Sequence, residues 1–436
     1  MSATPAGGGG PWLAPEATKP VVGALRPPGS KSLTQRWLLL AALAEGTSTI
    51  WNALRSDDVE ALAGGLRALG ATIRWTGVDS IEVQGVAGRF PRGGTLDARE
   101  GGTPARFLMA AAAMASRPCT VDGSARLRKR PMEDGLQLLH AIGAKARRVE
   151  ASQLPIEIRP HEAACQTEIE IERPASSQFL SAVALVAPWL ADGLRVRVRG
   201  GLPSASYLAM TVACLRQLGV QASWSEHASE LHVQHGPLRG FEVHVEPDAS
   251  SAAYGWALAA ICPGSEVWIP GLHADSAQPD MAVRAALVAL GAGAVEHKDG
   301  CGVRHAGRLH GGEFDASLWP DGSLAVMAAA ATADGSVRIG GLETLAGKES
   351  DRIEAMRAWL QSVGAKVERG TDWIEIQGCE PRSPEDLVET HRDHRIAMSA
   401  AVVGALTGGM RIADPACVEK SWPDFCTVWG GLIASA

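Results

Sequence analysis

Pro27-Pro28-Gly29-Ser30-Lys31-Ser32-Leu33-Thr34-Gln35-Arg36 leads directly into the apolar run Trp37 to Ala44. A Pro/Gly turn followed by Ser and Thr predicts a helix start, with Lys31 in its first turn and Arg36 one turn later. Helix starts leave backbone N–H groups unpaired and carry partial positive charge, so this start suits an anion. Taken singly, the stretch reads first as an ordinary capped helix with a solvated lysine and arginine. Recurrence along the chain changes that balance.

A small polar start followed by an alanine-rich apolar helix occurs at Ser32, Thr103, Ser177, Ser250, Ser323 and Arg395, at spacings of 71, 74, 73, 73 and 72 residues. Each helix precedes a short β-type run: Thr47–Ile50, Cys119–Val121, Leu194–Val198, Glu266–Ile269, Ser336–Ile339 and Met410–Ile412. A second helix is expected to end at Gly70, Gly143, Gly219, Gly291 and Gly364, since glycine just past the last turn is a C-cap signal. Alternating runs then follow, so each unit reads as helix, strand, helix, strand, strand. The sixth unit stops short of its closing strands, and Val21 to Leu25 is expected to supply one of them.

The sequence thus predicts an α/β fold of two lobes with three repeats each. Residues 29–245 form the N-terminal lobe, and residues 21–28 with 246–436 form the C-terminal lobe. Two crossings, near Pro27-Pro28 and Glu246-Pro247, make a natural hinge. The alanine-rich helices are apolar on nearly every face and should be buried. Their starts are expected to face the cleft between the lobes. Met1 to Pro20, with its Gly7–Gly10 run, reads as a disordered leader.

Composition narrows the function. A formal charge of −7 and 5% aromatics argue against a nucleic-acid-coating surface. None of the eight cysteines forms a C-x-x-C pair, so neither a zinc site nor a disulfide framework is indicated. No apolar run reaches membrane-spanning length. The expectation is a cytoplasmic protein without membrane or nucleic-acid partners.

The helix starts and adjoining loops carry Lys31, Arg36, Arg106, Arg126, Arg128, Arg130, Ser176, Ser177, Gln178, Lys348, Arg352, Arg395 and Lys420. Their placement at equivalent points of a repeated architecture predicts a polyanion site. Asp321 and Glu349 interrupt the cations and are candidates for proton transfer. Their plainer readings are a helix N-cap for Asp321 and an i,i+3 ion pair for Glu349 with Arg352. Gly29-Ser30-Lys31-Ser32 lacks the spacing of a phosphate-binding P-loop. His391 and His394 flank Asp393, but no third metal ligand is indicated.

In order along the chain stand PGSKSLTQR (28–36), GGTPAR (101–106), RLRKRP (126–131), SSQFL (176–180), DASSAAY (248–254), PDGS (320–323), KESDR (348–352), DHRIAM (393–398) and KSWPDF (420–425). In these motifs the chain resembles the 5-enolpyruvylshikimate-3-phosphate synthases of the enolpyruvyl transferase family. The resemblance implies an inside-out α/β barrel of six βαβαββ repeats that closes over its substrates. It also implies transfer of the enolpyruvyl group of phosphoenolpyruvate to the 5-hydroxyl of shikimate-3-phosphate in the shikimate pathway, with no metal or organic cofactor and a monomeric chain.

By the same resemblance, Ser176, Ser177 and Ser204 hold the phosphate of shikimate-3-phosphate, while Ser32, Arg36, Tyr207, Asp321 and Lys348 hold its ring and carboxylate. Lys31, Gly102, Arg126 and Gln178 surround the phosphoenolpyruvate phosphate, and Arg352, Arg395 and Lys420 its carboxylate. Lys31 and Gln178 also border shikimate-3-phosphate. Asp321 is the expected base, with Lys31 or Glu349 as acid. Glyphosate is expected to compete with phosphoenolpyruvate.

Three departures stand out: Arg99-Glu100 precedes the glycine turn where the family has Gly-Asn, Phe107 follows Arg106 in place of proline, and Thr344 replaces an asparagine contact. Two rivals are a transferase acting on a UDP-amino sugar and a catalytically silent anion-binding homologue. The first normally needs a cysteine in the loop that here runs cysteine-free from Asp122 to Pro131. Intact Lys31, Asp321, Glu349 and Arg395 argue against the second.

Overall fold

The computed structural model describes residues 10–160, 166 and 168–435. The chain divides into two compact units, residues 29–246 and residues up to 28 together with those from 247 onward.

In the first unit, the helices Lys31–Leu43, Gly102–Ala113 and Ser177–Val186 pack against one another. They are buried along nearly their whole length, Leu33 to Leu43 in the first and Pro104 to Ala113 in the second. Alanine on all sides lets them approach closely, and the sheets cover them with one face. The strand Leu194–Arg199 shows this plainly, with Leu194, Val196 and Val198 buried while Arg195, Arg197 and Arg199 are exposed. The second unit repeats the design around Ala249–Ile261, Ser323–Ala330 and His394–Thr407.

Among the described residues, five four-stranded sheets share one topology. A leading strand runs parallel to the strand that follows the buried helix, and an antiparallel hairpin completes the sheet. Thus Gly94–Asp97 pairs with Cys119–Asp122, Ile169–Glu172 with Leu194–Arg199, and His310–Asp315 with Asp334–Gly340. These leading strands are absent from the helix, strand, helix, strand, strand reading of the residues and complete the βαβαββ unit. The five predicted C-cap glycines all have left-handed φ, from 83° at Gly219 to 119° at Gly70, a conformation that glycine adopts without strain.

The remaining two leading strands explain both crossings. Glu242–His244 returns to pair with Thr47–Trp51, and Val22–Ala24 pairs in parallel with Glu266–Pro270. Val21–Leu25 therefore completes the fourth unit, contrary to the expectation for the sixth. That slot lies open because the chain reaches the fourth helix from the other unit.

The sixth unit is instead closed by Trp12–Leu13, antiparallel to Arg411–Ile412. This corrects the disordered-leader reading for the segment from Trp12. Ala14 is buried and donates its N–H to the Met410 carbonyl at 2.9 Å, and Trp12 packs edge-on against Phe425. Residues 1–9 lie outside the described residues.

Candidate active site

In the 29–246 unit, the opening motif forms a fixed turn. A Cβ at Gly29 would lie 1.7 Å from the Asn52 carbonyl oxygen, so only glycine fits there. Ser30 caps the Lys31–Leu43 helix by accepting from the Leu33 N–H. Lys31 extends its ammonium to Asp58 at 3.1 Å.

Arg36 is buried, and all three of its guanidinium nitrogens donate. Nε reaches Thr211 Oγ1 at 2.8 Å, Nη1 the Ser32 carbonyl at 2.9 Å, and Nη2 the Tyr207 carbonyl at 2.9 Å. Its group lies 5.7 Å from the Phe107 ring, which accounts for an apolar residue at that departure. Arg36 therefore joins the starts of two helices and orders Ser32 and Tyr207, leaving little of its own donor capacity for a ligand.

One further helix start, that of Ser177–Val186, stands in the same unit. Ser176 caps Ser177–Val186 by accepting from the Gln178 N–H, and Gln178 Oε1 accepts from Arg106 Nη1 at 2.8 Å. Ser204 begins Ala205–Gln217 with φ 53°, a left-handed conformation that a serine adopts only under constraint.

Of the three loop arginines, Arg130 is the one brought to Gly102. A Cβ there would lie 2.4 Å from Arg130 Nη1 and 2.8 Å from Arg106 Nη1. Arg126 is exposed, and Arg128 forks onto Asp122 at 2.6 Å. Arg126, expected around the phosphoenolpyruvate phosphate, is thus joined by Arg130 and Arg106, which lie near Gly102. Pro131 holds Arg130 extended, at φ −77° and ψ 139°.

Burial lowers the Arg106 pKa to about 9, with the Arg130 charge adding to the fall, and burial lowers Arg36 to about 10. Glu100 is exposed. Arg99 pairs with Asp57.

The other unit holds a carboxylate–guanidinium network. Arg352, 1 % exposed, donates from Nε to Asp393 at 2.8 Å, from Nη1 to Asp321 at 2.8 Å and from Nη2 to Glu349 at 2.8 Å. Asp393 is itself the cap of His394–Thr407, accepting from the Arg395 N–H at 3.0 Å, and takes the Ser350 hydroxyl at 2.9 Å.

Asp321 also faces Lys348 at 3.3 Å and Arg395 at 3.7 Å. Burial alone would raise its pKa, but Lys348, Arg395 and Arg352 outweigh burial and hold the carboxyl well below the usual range. Asp321 is not a helix cap, since that position belongs to Gly322. Glu349 forms the i,i+3 pair with Arg352 and a second pair with Lys420 at 2.7 Å. The Thr344 hydroxyl is buried with no hydrogen-bond partner among the described residues. No group of three or more metal-ligating side chains occurs among the described residues, and no helix there is long and apolar enough to cross a membrane.

Internal helices sheathed by sheets, three to a unit and with cations and carboxylates at their starts, define the inside-out α/β class. The family model for EPSP synthase (3-phosphoshikimate 1-carboxyvinyltransferase) matches residues 15–429. The chain is 35% identical to the 3-phosphoshikimate 1-carboxyvinyltransferase of Bordetella pertussis, covering 94% of this chain and 95% of the relative. It is 36% identical to that of Methanoculleus marisnigri, covering 94% and 96%.

The solved EPSP synthase of Acinetobacter baumannii superposes with a TM-score of 0.80 at 26% identity, covering 95% of this chain and 96% of that one. The enolpyruvyl transferase NikO from Streptomyces tendae shares the fold at a TM-score of 0.75 and 18% identity, over 98% of each chain. The chain belongs to the EPSP synthase family.

Proposed function

We propose that this protein transfers the enolpyruvyl group of phosphoenolpyruvate to the 5-hydroxyl of shikimate-3-phosphate and releases inorganic phosphate. The observation that carries the mechanism is the Asp321 carboxylate ringed by Lys348, Arg352 and Arg395. Held by three cations, Asp321 is ionised but a weak base. Anionic substrates that draw on Lys348, Arg352 and Arg395 restore its basicity at the moment a proton must be taken. The 5-hydroxyl loses its proton to Asp321 as its oxygen bonds to C2 of phosphoenolpyruvate, and the methylene carbon gains a proton. Loss of phosphate and of a methyl proton then gives the enol ether.

Glu349 or Lys31 supplies the methylene proton. Glu349 is free to do so once the phosphoenolpyruvate carboxylate takes over Lys420 and Arg352. Ser176, Ser177 and Ser204 hold the shikimate phosphate, while Ser32, Tyr207, Thr344 and Lys348 hold ring and carboxylate. Arg36 orders that wall. Lys31, Gln178, Arg126 and the backbone at Gly102 line the phosphoenolpyruvate phosphate, with Arg130 beside Gly102. Lys420, Arg395 and Arg352 take its carboxylate. The protein acts in the cytoplasm as a monomer, without metal or organic cofactor.

Phosphate release from phosphoenolpyruvate, measured with shikimate-3-phosphate and separately with UDP-N-acetylglucosamine, tests this reading. Turnover with the first alone is expected, and turnover with the second alone would transfer the assignment to the amino-sugar reaction. Glyphosate is expected to compete with phosphoenolpyruvate. Gly102→Ala should raise its inhibition constant several-fold, because the added methyl displaces the Arg130 guanidinium. Equal constants would remove Gly102 from the phosphate pocket.

A further inference from the structure

Asp280, absent from the catalytic reading, is 2 % exposed and lies in the short 3-10 turn Pro279–Met281. Its Oδ1 accepts the Gly322 N–H at 3.0 Å, and its Oδ2 accepts the Ser250 hydroxyl. Gly322 follows Asp321 directly and is the N-cap of Ser323–Ala330, while Ser250 is in the first turn of Ala249–Ile261. One carboxylate therefore ties together the starts of two buried helices. Gln278 reinforces the latch, accepting the Ala249 N–H at 3.0 Å and donating to the Pro247 carbonyl at 2.9 Å.

The residue at 322 is fitted to this contact. A Cβ there would lie 2.6 Å from Val283 Cγ2 and 2.9 Å from Asp280 Oδ1. The backbone at Gly322 has φ −76° and ψ −20°, which any residue adopts, so glycine serves close approach rather than an unusual conformation.

We propose that Asp280 is the positioning residue of Asp321: by anchoring the Asp321–Gly322 peptide it fixes where the Asp321 carboxylate points among Lys348, Arg352 and Arg395. This role rests on the assignment of Asp321 as the base. A base must meet its proton within hydrogen-bond reach, and displacement by about 1 Å costs on the order of 10²-fold in rate. Burying a carboxylate is costly, and Asp280 is pushed up to about 6, chiefly by that burial. Its retention there is accounted for by two oriented acceptor oxygens.

The test compares Asp280→Ala, Asp280→Asn and Gly322→Ala with the native chain in steady-state phosphate release. Asp280→Ala is expected to lower kcat roughly 10- to 100-fold, with both KM values within about threefold. Asp280→Asn keeps an acceptor for Gly322 and can donate to Ser250, so it should restore kcat to within about threefold of native. Gly322→Ala, which pushes the anchor away without removing a charge, should reproduce the kcat loss even where Asp280→Ala fails to fold.

Three results would overturn the role: undiminished kcat in Asp280→Ala, equal loss in Asp280→Ala and Asp280→Asn, or a defect confined to KM. A native chain that releases no phosphate with shikimate-3-phosphate would overturn the parent reading, and this role with it. Native turnover with any of those three results overturns this role alone.

Discussion

The two units share one topology but treat their buried helix-start arginines in opposite ways. In the 29–246 unit the helix starts are capped by Ser30 and Ser176, and the buried Arg36 and Arg106 rest on hydroxyls, carbonyls and an amide. Neither forms an ion pair among the described residues, and burial pulls their pKa values down to about 10 and about 9. In the other unit the caps are the carboxylates of Asp248 and Asp393, and Arg352 is held by three carboxylates that outweigh its burial and raise its pKa. A cation with neutral partners favours an incoming anion. A cation already shared among carboxylates instead sets the protonation of those carboxylates. On the proposed reading, the first unit holds phosphate and the second moves protons.

The sharpest break of this contrast is in stability. Arg352→Met would leave Asp393, Asp321 and Glu349 without their shared partner, a loss of about 3–5 kcal/mol. Arg36→Met leaves only neutral groups unpaired and should cost about 1–3 kcal/mol. Urea unfolding of both variants decides the matter, and equal losses would erase the distinction.

A smaller effect concerns Asp280, whose pKa of about 6 exceeds the ordinary carboxylate value. Its ionisation is penalised only in the fold, so it destabilises the protein progressively as pH rises from about 4 to about 6. Asp280→Asn should therefore gain on the native chain over that window, by up to about 3 kcal/mol, and a constant difference between melting temperatures at pH 4 and pH 7 would refute the burial penalty. The smallest effect is Lys420→Ala, which on the proposed reading loses one charge-assisted contact to the phosphoenolpyruvate carboxylate. Its KM for phosphoenolpyruvate should rise roughly tenfold, with kcat less affected; an unchanged KM would remove Lys420 from that site.

The repeat was legible because buried helices and their glycine C-caps are local and periodic. The leading strands were not. Gly94–Asp97 and Glu242–His244 are short and half polar, and they become strands only because a parallel neighbour offers them a free edge. The same holds for Trp12–Leu13, whose pairing with Arg411–Ile412 depends on a partner some 400 positions away in sequence.

In the site, cations and acids adjoining helix starts could be read from their placement. That Arg130 also lies beside Gly102 could not, although Pro131 carried a hint. Asp280 was invisible because its partner is a backbone N–H in a different repeat, which no side-chain pattern records.

The division between holding and proton transfer is tested most directly with Asp321→Asn. Turnover at saturating substrates and the dissociation constant for shikimate-3-phosphate would be measured on the same preparation. Asparagine keeps the shape of Asp321 but cannot take a proton, so kcat should fall by about 10² or more while the dissociation constant stays within about threefold. Near-normal turnover, or a loss of binding as large as the loss of turnover, would contradict the assignment of proton chemistry to Asp321.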